Sequence, residues 1–219
     1  MIVLFGHQKG GVGKSTIAIN TAYQLQKKYK DIVLLDLDSQ NSAILFNQLR
    51  ESEDLKTIRC VKEKDIGFSA FINEYANNKD NLMIIDSGGY DSDINRAALI
   101  RADIIITPVG IAQIEIFGLQ KFRKILKEAS EALGLKVKTN VLLNNVDSRS
   151  KNRLKELRQY IKENKEYFNL LDSTMYSRAD YRHSYGDGLT AKEYNKKGDA
   201  AKEIKKLSKE ILELINNLN

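Results

Sequence analysis

Ten consecutive residues, His7-Gln8-Lys9-Gly10-Gly11-Val12-Gly13-Lys14-Ser15-Thr16, combine three glycines, two lysines and two hydroxyls directly after an apolar run. This is chemistry for a polyphosphate. Glycines let the backbone curl so that successive N–H groups face phosphate oxygens, and a helix starting at the end of the loop adds about half a positive charge. Lys14 is expected to bridge the β- and γ-phosphates of a nucleotide, and the Ser15 hydroxyl to bind Mg²⁺. Lys9, Gly10, Gly11, Val12, Gly13, Lys14, Ser15 and Thr16 are therefore the candidate phosphate contacts.

Two further segments place carboxylates after apolar runs. Leu34-Leu35-Asp36-Leu37-Asp38-Ser39-Gln40 closes one run with two acids, and Leu82-Met83-Ile84-Ile85-Asp86 closes another with one. An isolated acid at a strand end more often caps a helix than binds a metal. Beside a phosphate loop the odds reverse, and Asp86 is expected to hold Mg²⁺ through water. The paired glycines of Ser87-Gly88-Gly89-Tyr90-Asp91-Ser92 suit a switch segment that tracks a phosphate.

These residues need a scaffold that brings three strand ends together. Short apolar runs predict strands at residues 2–5, 32–35, 82–85, 104–106 and 141–143, with helices at 16–29, 42–49, 68–76, 94–101 and 117–133 between them. Strand and helix in alternation imply parallel pairing with right-handed crossovers, and ligands then sit beyond the carboxyl ends of the strands. Residues 1–219, 42% hydrophobic, suit one domain without repeats or linkers. Cys60 is the only cysteine, so neither an intramolecular disulfide nor a cysteine-held cluster is possible. The opening apolar run is too short for a signal-peptide core, and no run approaches the roughly 18 residues that span a bilayer.

The string KGGVGKS resembles the deviant Walker A loop of the ParA/MinD family of ATPases, with Lys9 matching its signature lysine; Gln8 stands where the commoner phosphate-loop pattern has its first glycine. LDLDSQ resembles the family's DxDPQ segment, with Ser39 in place of proline. The resemblance implies an α/β fold of the P-loop NTPase kind, a mostly parallel twisted sheet flanked by helices on both faces. It implies that Lys9 reaches the partner's nucleotide across an ATP-bound homodimer, that Asp38 positions the attacking water, and that Asp36 supports the metal region. Lys9, Lys14 and Asp38 are thus the candidate catalytic groups, and Ser15, Asp36 and Asp86 the candidate metal set. Asn144, in Leu142-Leu143-Asn144-Asn145, corresponds to the adenine side. Residues 175–188 resemble a stretch of small partition ATPases, with Arg178, Tyr181 and Gly188 fitting best.

Charge bears on partners. The net charge is +6, and residues 149–219 hold 16 Lys/Arg against 11 Asp/Glu. Arg149, Lys151, Arg153, Arg178 and Arg182 are candidate contacts to non-specific DNA, although a basic run is more often just a solvated face. The resemblance implies slow hydrolysis stimulated by a centromere-binding activator of the ParB or ParG kind, in a cytoplasmic, nucleoid-associated protein that partitions plasmids or chromosomes. The competing readings are a MinD-like membrane-associated ATPase and an ATP-dependent small-molecule ligase. The apolar stripe Ile204, Leu207, Ile211, Leu214, Ile215 and Leu218 bears on the membrane reading, but a helix packed on the sheet needs the same pattern. His183 is expected to be a surface imidazole, and both histidines to lie in loops.

Overall fold

The computed structural model describes residues 1–76, 78–147 and 149–218. Among them, seven strands form one sheet: β1 (Ile2–Phe5), β2 (Asp31–Asp36), β3 (Arg59–Lys62), β4 (Asn81–Asp86), β5 (Ile104–Val109), β6 (Thr139–Val146) and β7 (Phe168–Tyr176). Their order is β3-β2-β4-β1-β5-β6-β7, and every neighbouring pair is parallel. The helices are α1 (Lys14–Leu25), α2 (Ser42–Ser52), α3 (Phe68–Tyr75), α4 (Asp93–Arg101), α5 (Gln113–Leu133), α6 (Lys151–Glu163), α7 (Ala179–Gly186), α8 (Ala191–Tyr194) and α9 (Asp199–Asn216).

Both sheet faces are covered, which explains why the central strands read as continuous apolar runs. Alternate residues serve opposite cores. Ile2, Leu4, Val33, Leu35, Met83 and Ile85 meet buried residues of α3, α4, α5 and α6. Val3, Phe5, Ile32, Leu34, Leu82 and Ile84 meet α1, α2 and α9. The sheet register then aligns the chemistry: Phe5 pairs with Asp86, and Asp86 with Asp36, so three strands end side by side.

The five expected strands are present, all but the first longer than expected, whereas β3 and β7 were not anticipated. In β7, inward Phe168, Leu171 and Met175 are separated by polar Asn169, Asp172 and Ser173, and no continuous apolar run marks it. Helix α1 begins at Lys14, two residues earlier than expected, because left-handed Gly13 directly precedes it. Helix α5 begins at Gln113, and its first two turns carry exposed Ile114 and Phe117, which obscured its apolar face. Ile204, Leu207, Ile211 and Ile215 of the C-terminal stripe are buried in the α1/α2/α9 core, while Leu218 is exposed. Among the described residues no helix is long and apolar enough to cross a membrane.

Candidate nucleotide and metal site

The glycine loop leaves β1 and turns into α1 through Gly13, whose φ is 91°. A side chain there is excluded twice. The conformation is strained for any L-residue, and a Cβ would stand 2.3 Å from Asn144 Nδ2. Asn144 is buried and donates its amide N–H to the Val12 carbonyl at 2.7 Å. It therefore braces the loop from β6 and also lines the adjoining cavity described below.

Lys9 is a junction. Its N–H donates to His7 Nδ1 at 2.9 Å, its carbonyl accepts from Lys14 Nζ at 3.1 Å, and its own Nζ forms an ion pair with Glu115. His7 is buried and stacks on Phe122, with ring centroids 5.9 Å apart. Burial, then the charges of Lys14 and Lys9, push its imidazole down to about 3, so it is neutral and accepts from the loop. Lys14 is only 4% exposed; desolvation lowers its ammonium pKa, opposed by Asp86 and Asp38.

The two strand-end carboxylates differ sharply in their partners. Asp36, 2% exposed, accepts three backbone N–H groups: Asp38 at 3.0 Å, Ala43 at 2.9 Å and Ile44 at 3.3 Å. It thereby caps α2 and shapes the segment that presents Asp38, whose own Oδ1 accepts from Gln40 at 3.0 Å. Burial raises the Asp36 pKa, and these backbone bonds oppose the rise. Asp86 is fully buried, and neither of its oxygens has a well-formed hydrogen bond among the described residues. Desolvation pushes it up to about 8, with the Ser15 hydroxyl close enough to soften the effect.

A bare buried carboxylate beside a hydroxyl and an ammonium fits a hard cation. Among the described residues no group of three or more His, Cys, Asp or Glu forms a metal cage. Mg²⁺ commonly uses one or two protein carboxylates and takes the rest of its shell from phosphates and water. The segment after β4 lies against the loop, since a Cβ on Gly89 would stand 2.8 Å from the Gly10 backbone.

Beside the loop opens a cavity of about 280 Å³ lined by Gly11, Gly13, Thr16, Asn144, Tyr176 and Arg182, among others. Arg178 lines it too and is held by Glu203, with Nε at 3.0 Å and Nη2 at 2.9 Å, while Asp199 lies at 3.5 Å. The expected DNA contacts differ in their local surroundings. Arg178 and Arg182 line this cavity at the start of α7, and two acids already hold Arg178. Arg149 is exposed and paired with Asp147 at 2.9 Å, and Arg153 is exposed on α6. The Lys151 side chain lies outside the described residues. His183 is exposed but sits in α7 rather than in a loop.

Sequence reasoning missed Glu115 and the buried role of His7. Glu115 lies between two isoleucines with no motif to mark it. His7 carries only one hint, its position at the start of the glycine loop.

Comparison with known proteins matches the description CobQ/CobB/MinD/ParA nucleotide binding domain over residues 3–189. An uncharacterised protein of Methanocaldococcus jannaschii is 45% identical over 40 residues, which span 18% of this chain and 15% of that protein. An ATP complex of McdA from Cyanothece superposes with a TM-score of 0.72 at 14% identity, covering 96% of this chain and 95% of the other. The septum site-determining protein MinD of Pyrococcus horikoshii, complexed with Mg-ADP, gives 0.69 at 17%, covering 96% and 95%. A plasmid partition protein from Borrelia burgdorferi gives 0.58 at 20%, covering 86% and 95%. Lys9, Lys14 and the paired strand-end acids thus stand on the fold these proteins share, and with the family match over most of its length the chain belongs to the CobQ/CobB/MinD/ParA nucleotide-binding domain family.

Proposed function

We propose that the chain is a Mg²⁺-dependent ATP hydrolase that pairs with a second copy when it holds ATP, binds DNA without sequence preference in that state, and serves plasmid or chromosome partition. The observation that carries the nucleotide half is the partnerless Asp86 carboxylate beside Ser15 and Lys14, at the mouth of a glycine loop feeding α1. Ser15 and Asp86 hold Mg²⁺, which when bound neutralises charge on the phosphates. Asp36 acts by shaping the Asp38 segment, since its oxygens already accept three N–H groups.

In the reaction, water attacks the γ-phosphorus, the bond to the β–γ bridging oxygen breaks, and ADP and phosphate leave. Asp38 orients that water, Lys14 offsets charge on the phosphates, and Lys9 of each copy reaches the nucleotide of the other. With so few groups on the reacting atoms, turnover is slow alone. A centromere-binding activator speeds it, as activating groups elsewhere contribute about 10³–10⁵ in rate. Asn144 and the cavity beside the loop receive the nucleoside.

The DNA half rests on α6. Leu157 and Ile161 are buried beneath the sheet's helical layer, while Arg153, Lys155, Arg158 and Lys162 stay exposed. About four phosphate contacts per copy give a salt slope near −3.6, so fourfold more salt weakens binding about a hundredfold. A pair doubles the contacts and holds on at salt where single copies detach. The MinD-like membrane reading loses its strongest support because most of the C-terminal apolar stripe is packed in the core.

Light scattering and retention on a DNA column, with ATP, ADP and no nucleotide at two salt concentrations, test the proposal. The expected result is a dimer retained on DNA in a salt-sensitive way only with ATP. Equal retention in all three states removes the DNA switch, and an ATP dimer indifferent to DNA redirects the function to another cargo.

A further inference from the structure

Lys9 is tied at both ends of its residue, and the tie at its ammonium is unlike the others. Its partner Glu115 is buried at 6% exposure in the first turn of α5, where the helix N-terminus favours a carboxylate. The second carboxylate oxygen of Glu115 is buried and has no hydrogen-bond partner among the described residues. Lys9 is therefore the cation that compensates a buried acid within its own chain. Beside the pair lies a shallow cavity of about 200 Å³ between Gln8, Lys9, Phe117 and Lys121. Its rim carries exposed Ile114 and Phe117, at 58% and 53%.

From this geometry we infer that Glu115 parks Lys9 within its own chain and thereby restrains pairing of two copies, a role that rests on Lys9 reaching the partner's nucleotide. To reach across, Lys9 must leave Glu115, and the vacated carboxylate then stays buried without its compensating charge close to the incoming phosphates. The γ-phosphate of ATP offers Lys9 a richer set of oxygens than ADP does, so the exchange favours ATP. Glu115 is a positioning residue that sets how much ATP-state affinity is spent on releasing Lys9. It raises the threshold concentration for pairing without touching the reacting atoms.

The test compares wild type with Glu115→Gln, which keeps shape and loses charge, and with Glu115→Ala as a second variant; melting curves establish that each is folded. The first readout needs no nucleotide or dimer: the rate at which an amine-acylating reagent modifies Lys9, followed by mass spectrometry. Loss of the pair raises that rate several-fold at Lys9 and leaves the exposed lysines of α9 unchanged. The second is the concentration at which light scattering detects dimers with a non-hydrolysable ATP analogue, expected to fall about tenfold, within the usual span of coupling between two sites. Unchanged Lys9 labelling overturns the parking contact. Increased labelling with an unchanged dimerisation threshold overturns the restraint while leaving the contact standing. Absence of dimers in every protein, at any labelling rate, overturns the pairing reading itself and the restraint with it.

Discussion

The ends of β2 and β4 lie side by side in register, both close in a buried aspartate, and the two have opposite surroundings. Asp36 is saturated by three backbone N–H groups, whereas Asp86 has no well-formed hydrogen bond among the described residues. A buried ionised carboxylate without partners is costly, and one satisfied by N–H groups is not. On the proposed function, the difference separates a residue that shapes the site from one that would hold a cation. Residue type and position after an apolar run do not distinguish the two; hydrogen bonds do.

The largest break in that comparison is in activity. Asp86→Asn is expected to lower Mg²⁺-dependent ATP hydrolysis by about a thousandfold, the scale of losing several kcal/mol of metal-derived stabilisation. Steady-state phosphate release measures it, and near-normal turnover removes Asp86 from the metal site. Asp36→Asn instead acts on the fold. Replacing one acceptor oxygen with a donor beside the Ala43 and Ile44 N–H groups costs about 2–3 kcal/mol. That lowers the melting temperature by about 4–12 °C for a domain of this size. A variant that melts with wild type contradicts the capping role.

The pH dependence sharpens the same contrast. Without metal or nucleotide, folded Asp86 keeps its proton up to about 8, while the unfolded chain releases it near 3.8. The folded state thus binds more protons in that window, and its stability, full below the lower value, declines as pH rises through the upper one. Denaturant midpoints measured in EDTA should fall from pH 5 to 9 in wild type and fall less in Asp86→Asn. Asp36, whose pKa is also raised, remains in both proteins and adds a fall of the same sign. Parallel profiles contradict the bare state of Asp86.

A smaller effect separates the two groups of arginines. Arg153→Ala should reduce the magnitude of the salt slope of DNA binding by about 0.9 per copy and leave nucleotide affinity unchanged. Arg178→Ala frees Glu203 and should weaken nucleotide binding and stability without altering the slope. Fluorescence anisotropy over a salt series reads both, and equal slope changes would join the two groups into one DNA surface.

Much of the left half of the sheet was legible because its physics is local. A glycine loop between an apolar strand and a helix, and acids closing β2 and β4, are written in consecutive residues. The parallel register then brings them together without further information. What stayed hidden depends on contacts distant in sequence: the bond from Asn144 to Val12 spans 132 residues, and the pair of Lys9 with Glu115 spans 106. Strand β7 hid for a related reason, since polar residues interrupt its inward-facing positions. Charge in the sequence likewise does not report the acids, Glu203 and Asp199, that engage Arg178.

Thermal denaturation with ATP, in Mg²⁺ and in EDTA, on wild type and Asp86→Asn tests most directly the claim that Asp86 keeps a cation's place at a nucleotide site. The account predicts that ATP stabilises both proteins and that Mg²⁺ adds a further increment of several degrees in wild type alone. An equal Mg²⁺ increment in the two proteins, or no stabilisation of wild type by ATP at all, contradicts it.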